Sequence, residues 1–111
     1  MKVVIRVDSS GEIGFGHLSR CINLAEELRT RGNDVTFVCR DLVGAAVSSL
    51  EGRLFRTILL PRSTFLTSQS VDAAESILSF TGGHLDWLVL DSYTLGLEWE
   101  TAVRPFVGRI A

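Results

Sequence analysis

Residues 2–17 read "KVVIRVDSSGEIGFGH". The run 2–7 is β-branched and apolar, too short for a helix and followed at once by turn residues, which marks a strand. Gly11, Gly14 and Gly16 then lead to His17 on the doorstep of a helix. From Gly16 to Arg31 the apolar residues Leu18, Cys21, Ile22, Ala25 and Leu28 recur at three- and four-residue spacing, and Gly32-Asn33 supplies C-cap chemistry. Strand, glycine-bearing loop and helix are the first beat of an alternation.

That alternation continues along the chain. "DVTFVC" (34–39) reads as a second strand, Leu42 to Leu50 as a short helix, and "LFRTILLP" (54–61) as a third strand ending at a proline. Residues 62–70, "RSTFLTSQS", are polar enough for a loop; Val71 to Phe80 is helical and closed by Gly82-Gly83. "DWLVLD" (86–91) is a fourth strand, and Leu97 to Phe106 a further helix. Strands that are continuous apolar runs separated by helices predict a parallel sheet covered on both faces, a Rossmann-like doubly wound α/β domain. One such domain is expected over 1–111. "VGRIA" (107–111) begins like a fifth strand and the sequence stops there, so the chain is expected to be the N-terminal piece of a longer protein.

Composition narrows the function classes. With 111 residues, 46% hydrophobic and 22% charged, the chain can bury one core. Eleven Lys plus Arg against thirteen Asp plus Glu give a net charge of -2 without any cluster, so nothing advertises nucleic acid. No apolar run approaches the roughly 20 residues of a membrane span, and "MKVVIRVDSS" has no signal-peptide core. A cytoplasmic protein is expected. Cys21 and Cys39 lack the spacing of a zinc site and read as buried thiols.

In open parallel sheets, ligands bind beyond the carboxyl ends of the strands, at the crevice where strand order reverses. Asp8 to His17 follow the first strand and Asp91, Ser92 and Tyr93 follow the fourth. With the usual order 3-2-1-4 both loops flank one crevice, whereas His84 precedes the fourth strand and falls on the opposite rim. Gly14-Phe15-Gly16, opening a helix whose first N–H groups have no partner, is a credible cradle for a phosphate. No Gly-Lys-Ser/Thr follows, which excludes a Walker loop; Ser19 stands where a dinucleotide fingerprint needs its third glycine, which disfavours NAD. His17 in the first turn is favoured as neutral imidazole by the helix N-terminus and suits a general base, or it is a local hydrogen-bonding group. Asp8 is a site carboxylate or a turn-former; Arg20 reaches a phosphate or pairs with a nearby Glu; Tyr93 serves the site or packs at the sheet rim. Trp87 and Trp99 read as packing aromatics.

"RVDSSGEIGFGHLSRCINLAEELRTRGNDVTFVCRD" (6–41), with "DWLVLDSYTLGLEWE" (86–100), resembles the N-terminal domain of the UDP-2,4-diacetamido-2,4,6-trideoxy-β-L-altropyranose hydrolases of pseudaminic acid biosynthesis. It is also similar to spore-coat polysaccharide biosynthesis proteins and, more remotely, to the GT-B glycosyltransferase that builds the peptidoglycan lipid intermediate. The G-x-G-H-x-x-R arrangement of Gly14 to Arg20 carries most of the likeness, and Asp91 to Tyr93 the rest. The resemblance implies two Rossmann-like domains in a GT-B arrangement, the nucleotide being held largely by a C-terminal domain expected to lie outside residues 1–111. It implies hydrolysis of the sugar–UDP bond by water at the anomeric carbon, with inversion and with neither metal nor other cofactor. His17 maps onto the histidine at the reacting centre and Tyr93 onto the tyrosine after the fourth strand; Ser92 departs from the histidine common between Asp and Tyr. His17, Tyr93 and Asp8 are the expected catalytic residues, Asp8 ranked below His17 as a residue that positions loop or sugar, and Gly14, Phe15, Gly16, Arg20 and Asp91 are assigned to substrate and phosphate. The expected partner is a UDP-sugar and the expected state a monomer, the isolated domain being inactive. The alternatives are a GT-B glycosyltransferase using a UDP-amino sugar donor and a non-catalytic nucleotide-sugar-binding domain.

Overall fold

The computed structural model describes residues 1–8, 16–41, 50, 52–62, 68–80, 85–92 and 95–111. In chain order these form β1 (Lys2–Val7), α1 (Gly16–Thr30), β2 (Asp34–Arg40), β3 (Arg56–Leu60), α2 (Gln69–Ser79), β4 (Leu85–Asp91), α3 (Leu97–Val103), a 3-10 turn (Arg104–Phe106) and β5 (Val107–Ile110). The five strands make one parallel sheet in the order β3-β2-β1-β4-β5. The chain steps outward from β1 to β3 and then returns to place β4 on the other side of β1. The β1/β4 junction is therefore the switch point of a Rossmann-like doubly wound sheet, the architecture expected from the strand and helix patterns. The expected helix over 42–50 and the closing Gly82-Gly83 fall almost wholly outside the described residues.

Side-chain alternation distributes the core. Val3, Ile5 and Val7 of β1, with Val35, Phe37 and Cys39 of β2, point to the face covered by Leu18, Cys21, Ile22 and Ala25 of α1. Val4 and Val38 point to the opposite face, against Ala73 of α2 and Trp99 and Val103 of α3. Among the described residues no helix is long and apolar enough to cross a membrane.

Local chemistry sets the helix ends. Gly32 at φ +87° lets its N–H reach Arg29 O while Asn33 N reaches Leu28 O, the double closure of a Schellman turn. Ser68 caps α2, its Oγ accepting from Val71 N at 3.3 Å, so the helix starts two residues before the apolar pattern that predicted it. Gly96 leaves α3 without a side-chain cap, and Gln69 supplies one from α2: its Oε1 accepts from Gly96 N at 3.0 Å and Trp99 N at 3.2 Å. Pro105 ends the α-helical bonding, and what reads as one helix to Phe106 is α3 followed by a 3-10 turn.

The same alternation sends two arginines inward. Arg6 and Arg40 lie on the α2/α3 face, 1% and 4% exposed. Asp72 of α2 lies between them: Arg6 Nε and Nη2 donate to its two oxygens at 3.2 and 2.7 Å, and Arg40 Nη2 donates at 2.6 Å. Trp99 Nε1 at 2.8 Å and Ser76 Oγ at 3.2 Å complete its shell. Glu75 and the Pro61 carbonyl, each at 2.9 Å, take the remaining Arg40 Nη1 bonds. Buried charge is tolerated where it is paired and hydrogen-bonded, and here the carboxylate outcompetes its own burial. Burial alone would raise Asp72, but Arg6, Arg40 and Trp99 hold its carboxyl down at about 2.

Candidate functional site

The carboxyl edge at the switch point is built from β1, β4 and the first turns of α1. The register pairs Val7 with Asp91, so the Asp91 side chain leaves the sheet on the Val7 face, the face that α1 covers. On α1, Arg20 and Cys21 follow His17 by three and four residues and share its side of the helix. Three helical side chains thereby converge on one carboxylate.

His17 Nδ1 is hydrogen-bonded to Asp91 Oδ1. Arg20 Nη2 donates to Asp91 Oδ2 at 3.0 Å and to Oδ1 at 3.2 Å, and stands 3.0 Å from His17 Nδ1. The Cys21 thiol points at Asp91 Oδ2, 3.5 Å away. The imidazole and carboxylate side chains are 13% and 20% exposed, while the guanidinium of Arg20 reaches solvent at 69%. The site therefore grades from a closed floor to a cationic lip. Burial opposes ionisation of Asp91, but the hydrogen bonds from His17 and Arg20 outweigh it and lower its pKa. Burial, reinforced by the Asp91 charge, pushes the Cys21 thiol up to about 12, so it is a neutral donor and not a nucleophile. Among the described residues no set of His, Cys, Asp and Glu side chains forms a metal-holding group. Arg20 beside His17, Asp91 and Cys21 opposes a second cation there.

Of the residues singled out from sequence, His17, Arg20 and Asp91 come together. Gly16 opens α1, and among the described residues a Cβ placed on it meets nothing within 4 Å. Asp8 belongs to another cluster: its Oδ1 accepts from Arg6 Nη1 at 2.6 Å and from the Arg40 backbone N at 2.7 Å, tying the ends of β1 and β2. Gly14, Phe15, Tyr93 and His84 lie outside the described residues. Arg20 pairs with Asp91. Both cysteines are free and buried, as read, but the contact from Cys21 to Asp91 was missed. Parity along β4 was the available signal, since Trp87, Val89 and Asp91 share one face.

The chain is similar to a named hydrolase. It is 29% identical over 108 residues to the UDP-2,4-diacetamido-2,4,6-trideoxy-β-L-altropyranose hydrolase of Campylobacter jejuni. The match takes in 97% of this chain and 34% of that protein, so the chain spans about a third of the length of the curated relative it matches. No family model matches the chain.

Proposed function

We propose that this chain forms the base-bearing domain of an enzyme that hydrolyses a UDP-linked 2,4-diacetamido-2,4,6-trideoxy sugar. His17 takes a proton from water as its oxygen attacks the anomeric carbon. The bond from that carbon to the UDP oxygen breaks, its electron pair leaves with UDP, and the anomeric centre inverts. Negative charge grows on the diphosphate, which the N–H groups of the first turn of α1 and the guanidinium of Arg20 oppose. Gly14, Phe15 and Gly16 belong to the phosphate cradle in this reading, and Tyr93 to the reacting centre. The uridine is held by a second domain in a GT-B arrangement, and the free sugar enters pseudaminic acid or related surface polysaccharide synthesis.

The observation that carries the reading is the His17–Asp91 pair at the carboxyl edge of the β1/β4 switch point. The likeness to the Campylobacter hydrolase supports the choice of substrate. The experiment is UDP release from the UDP-linked diacetamido sugar by the full-length protein without acceptor, native against His17→Gln. Release that needs only water and collapses in the variant is the expected result. Release that waits for a sugar or lipid hydroxyl overturns hydrolysis in favour of transfer, and binding without release, unaffected by His17→Gln, overturns catalysis altogether.

A further inference from the structure

We propose that Asp91 acts on the reaction through His17, as a positioning residue that fixes the imidazole tautomer, and does not itself bind the sugar or its phosphates. The inference deepens the hydrolase reading and rests on it for the reaction, though not for the pairing. An ionised carboxylate only accepts hydrogen bonds and offers about four lone-pair directions. In Asp91 three donors share them: His17 Nδ1 on Oδ1, Arg20 Nη2 bridging Oδ1 and Oδ2, and the Cys21 thiol on Oδ2. A sugar hydroxyl arriving at Asp91 has to compete with them.

The same geometry points to the ring nitrogen that carries the proton. Nδ1 faces an acceptor in Asp91, so Nδ1 is the donor. Arg20 Nη2, 3.0 Å from the same nitrogen, is itself only a donor; its bonds go to the two carboxylate oxygens, and its nearness to Nδ1 follows from sharing them. With the proton on Nδ1, Nε2 bears the lone pair and is the nitrogen that accepts a proton from water. As the water loses its proton to Nε2 the ring becomes imidazolium, held against an anion already in place. Arg20 and Cys21, one helical turn beyond His17, keep that anion oriented.

Asp91→Asn keeps the shape and removes the charge. An amide beside Arg20 turns its oxygen to the guanidinium and its NH2 to His17, which forces the proton onto Nε2. Two readouts in the full-length protein separate this role from a merely structural one. The ¹⁵N spectrum of labelled histidine, at a pH where the ring is neutral, is expected to show His17 protonated on Nδ1 in the native protein and on Nε2 in the variant. UDP release from the UDP-linked diacetamido sugar is expected to fall about 100-fold or more in kcat. KM stays within about twofold, because no ground-state contact is lost. An unchanged tautomer, or a loss confined to KM, overturns the proposal and returns Asp91 to the substrate. A native protein that releases no UDP, yet whose His17 tautomer switches with Asp91→Asn, overturns the hydrolase reading and supports the pairing.

Discussion

Arg6 and Asp72, 66 residues apart in sequence, meet side-on in the interior, with Nε to Oδ1 at 3.2 Å and Nη2 to Oδ2 at 2.7 Å. The pair joins the centre of the sheet to α2. Through Arg6 Nη1 it also reaches Asp8, the first residue past β1. Asp72→Ala strips the shared partner from Arg6 and Arg40, which are then left buried with only Asp8, Glu75 and a few carbonyls. We expect a loss of about 3 kcal/mol in denaturant unfolding, the lower end for breaking a buried pair, because those secondary partners remain. A midpoint unchanged from native refutes this.

Acid should reveal the same carboxylate. Its pKa is depressed in the folded chain to about 2 from an ordinary 3.8, so the unfolded chain binds the proton first as pH falls. The stabilisation is present above about pH 4 and disappears as pH falls through 2, amounting to about 2 kcal/mol. Urea titrations stepped across that window are expected to show the loss in native protein and a flatter curve in Asp72→Asn.

Trp99 Nε1 donates to Asp72 from a side chain with no exposure. Trp99→Phe loses that bond and part of the ring volume, and is expected to cost about 2 kcal/mol. Combined with Asp72→Ala the two losses should fall short of their sum, since both variants remove the same bond.

The thiols should be silent. Burial first, then the neighbouring charge of Asp91 for Cys21 and of Asp8 for Cys39, raises both to about 12. Arg6 beside Cys39 only partly offsets this. Alkylation by iodoacetamide at neutral pH is expected to be slower than in the denatured chain by about 100-fold or more, because reaction needs an exposed thiolate. Equal rates in the two states contradict the burial.

Gly108 in β5 lies where a Cβ would stand 2.7 Å from the carbonyl oxygen of Asp86. The obstacle is backbone, so the strand itself has to shift. Gly108→Ala is expected to cost about 1–3 kcal/mol and to loosen the β4/β5 pairing, read as faster amide exchange at Leu90 and Ala111, which bond across that edge.

The order of elements was legible residue by residue. "KVVIRV", the Leu18-to-Leu28 spacing and Gly32-Asn33 each carry their structure in a few neighbouring residues, because strand alternation, helix periodicity and capping are short-range physics. Capping and proline moved two ends, Ser68 drawing α2 earlier and Pro105 cutting α3 at Val103, and Leu54, expected in β3, stands in a turn at φ 61° before the strand begins at Arg56. His17, Arg20 and Asp91 were each visible as polar residues at the carboxyl end of strands. Their contact with one another was not visible.

The sequence by itself determined an alternating parallel α/β domain and the edge on which its polar loops lie, since both follow from local pattern and the strand-end rule. Tertiary structure alone decided the partners. That Asp91 faces His17 across 74 residues depends on the β1/β4 register. That Arg6 is buried depends on the parity of its strand and on a carboxylate delivered by α2. An arginine in an apolar run gives no local sign of being neutralised, because the charge that does so comes from a distant part of the chain, brought near only when the sheet is wound.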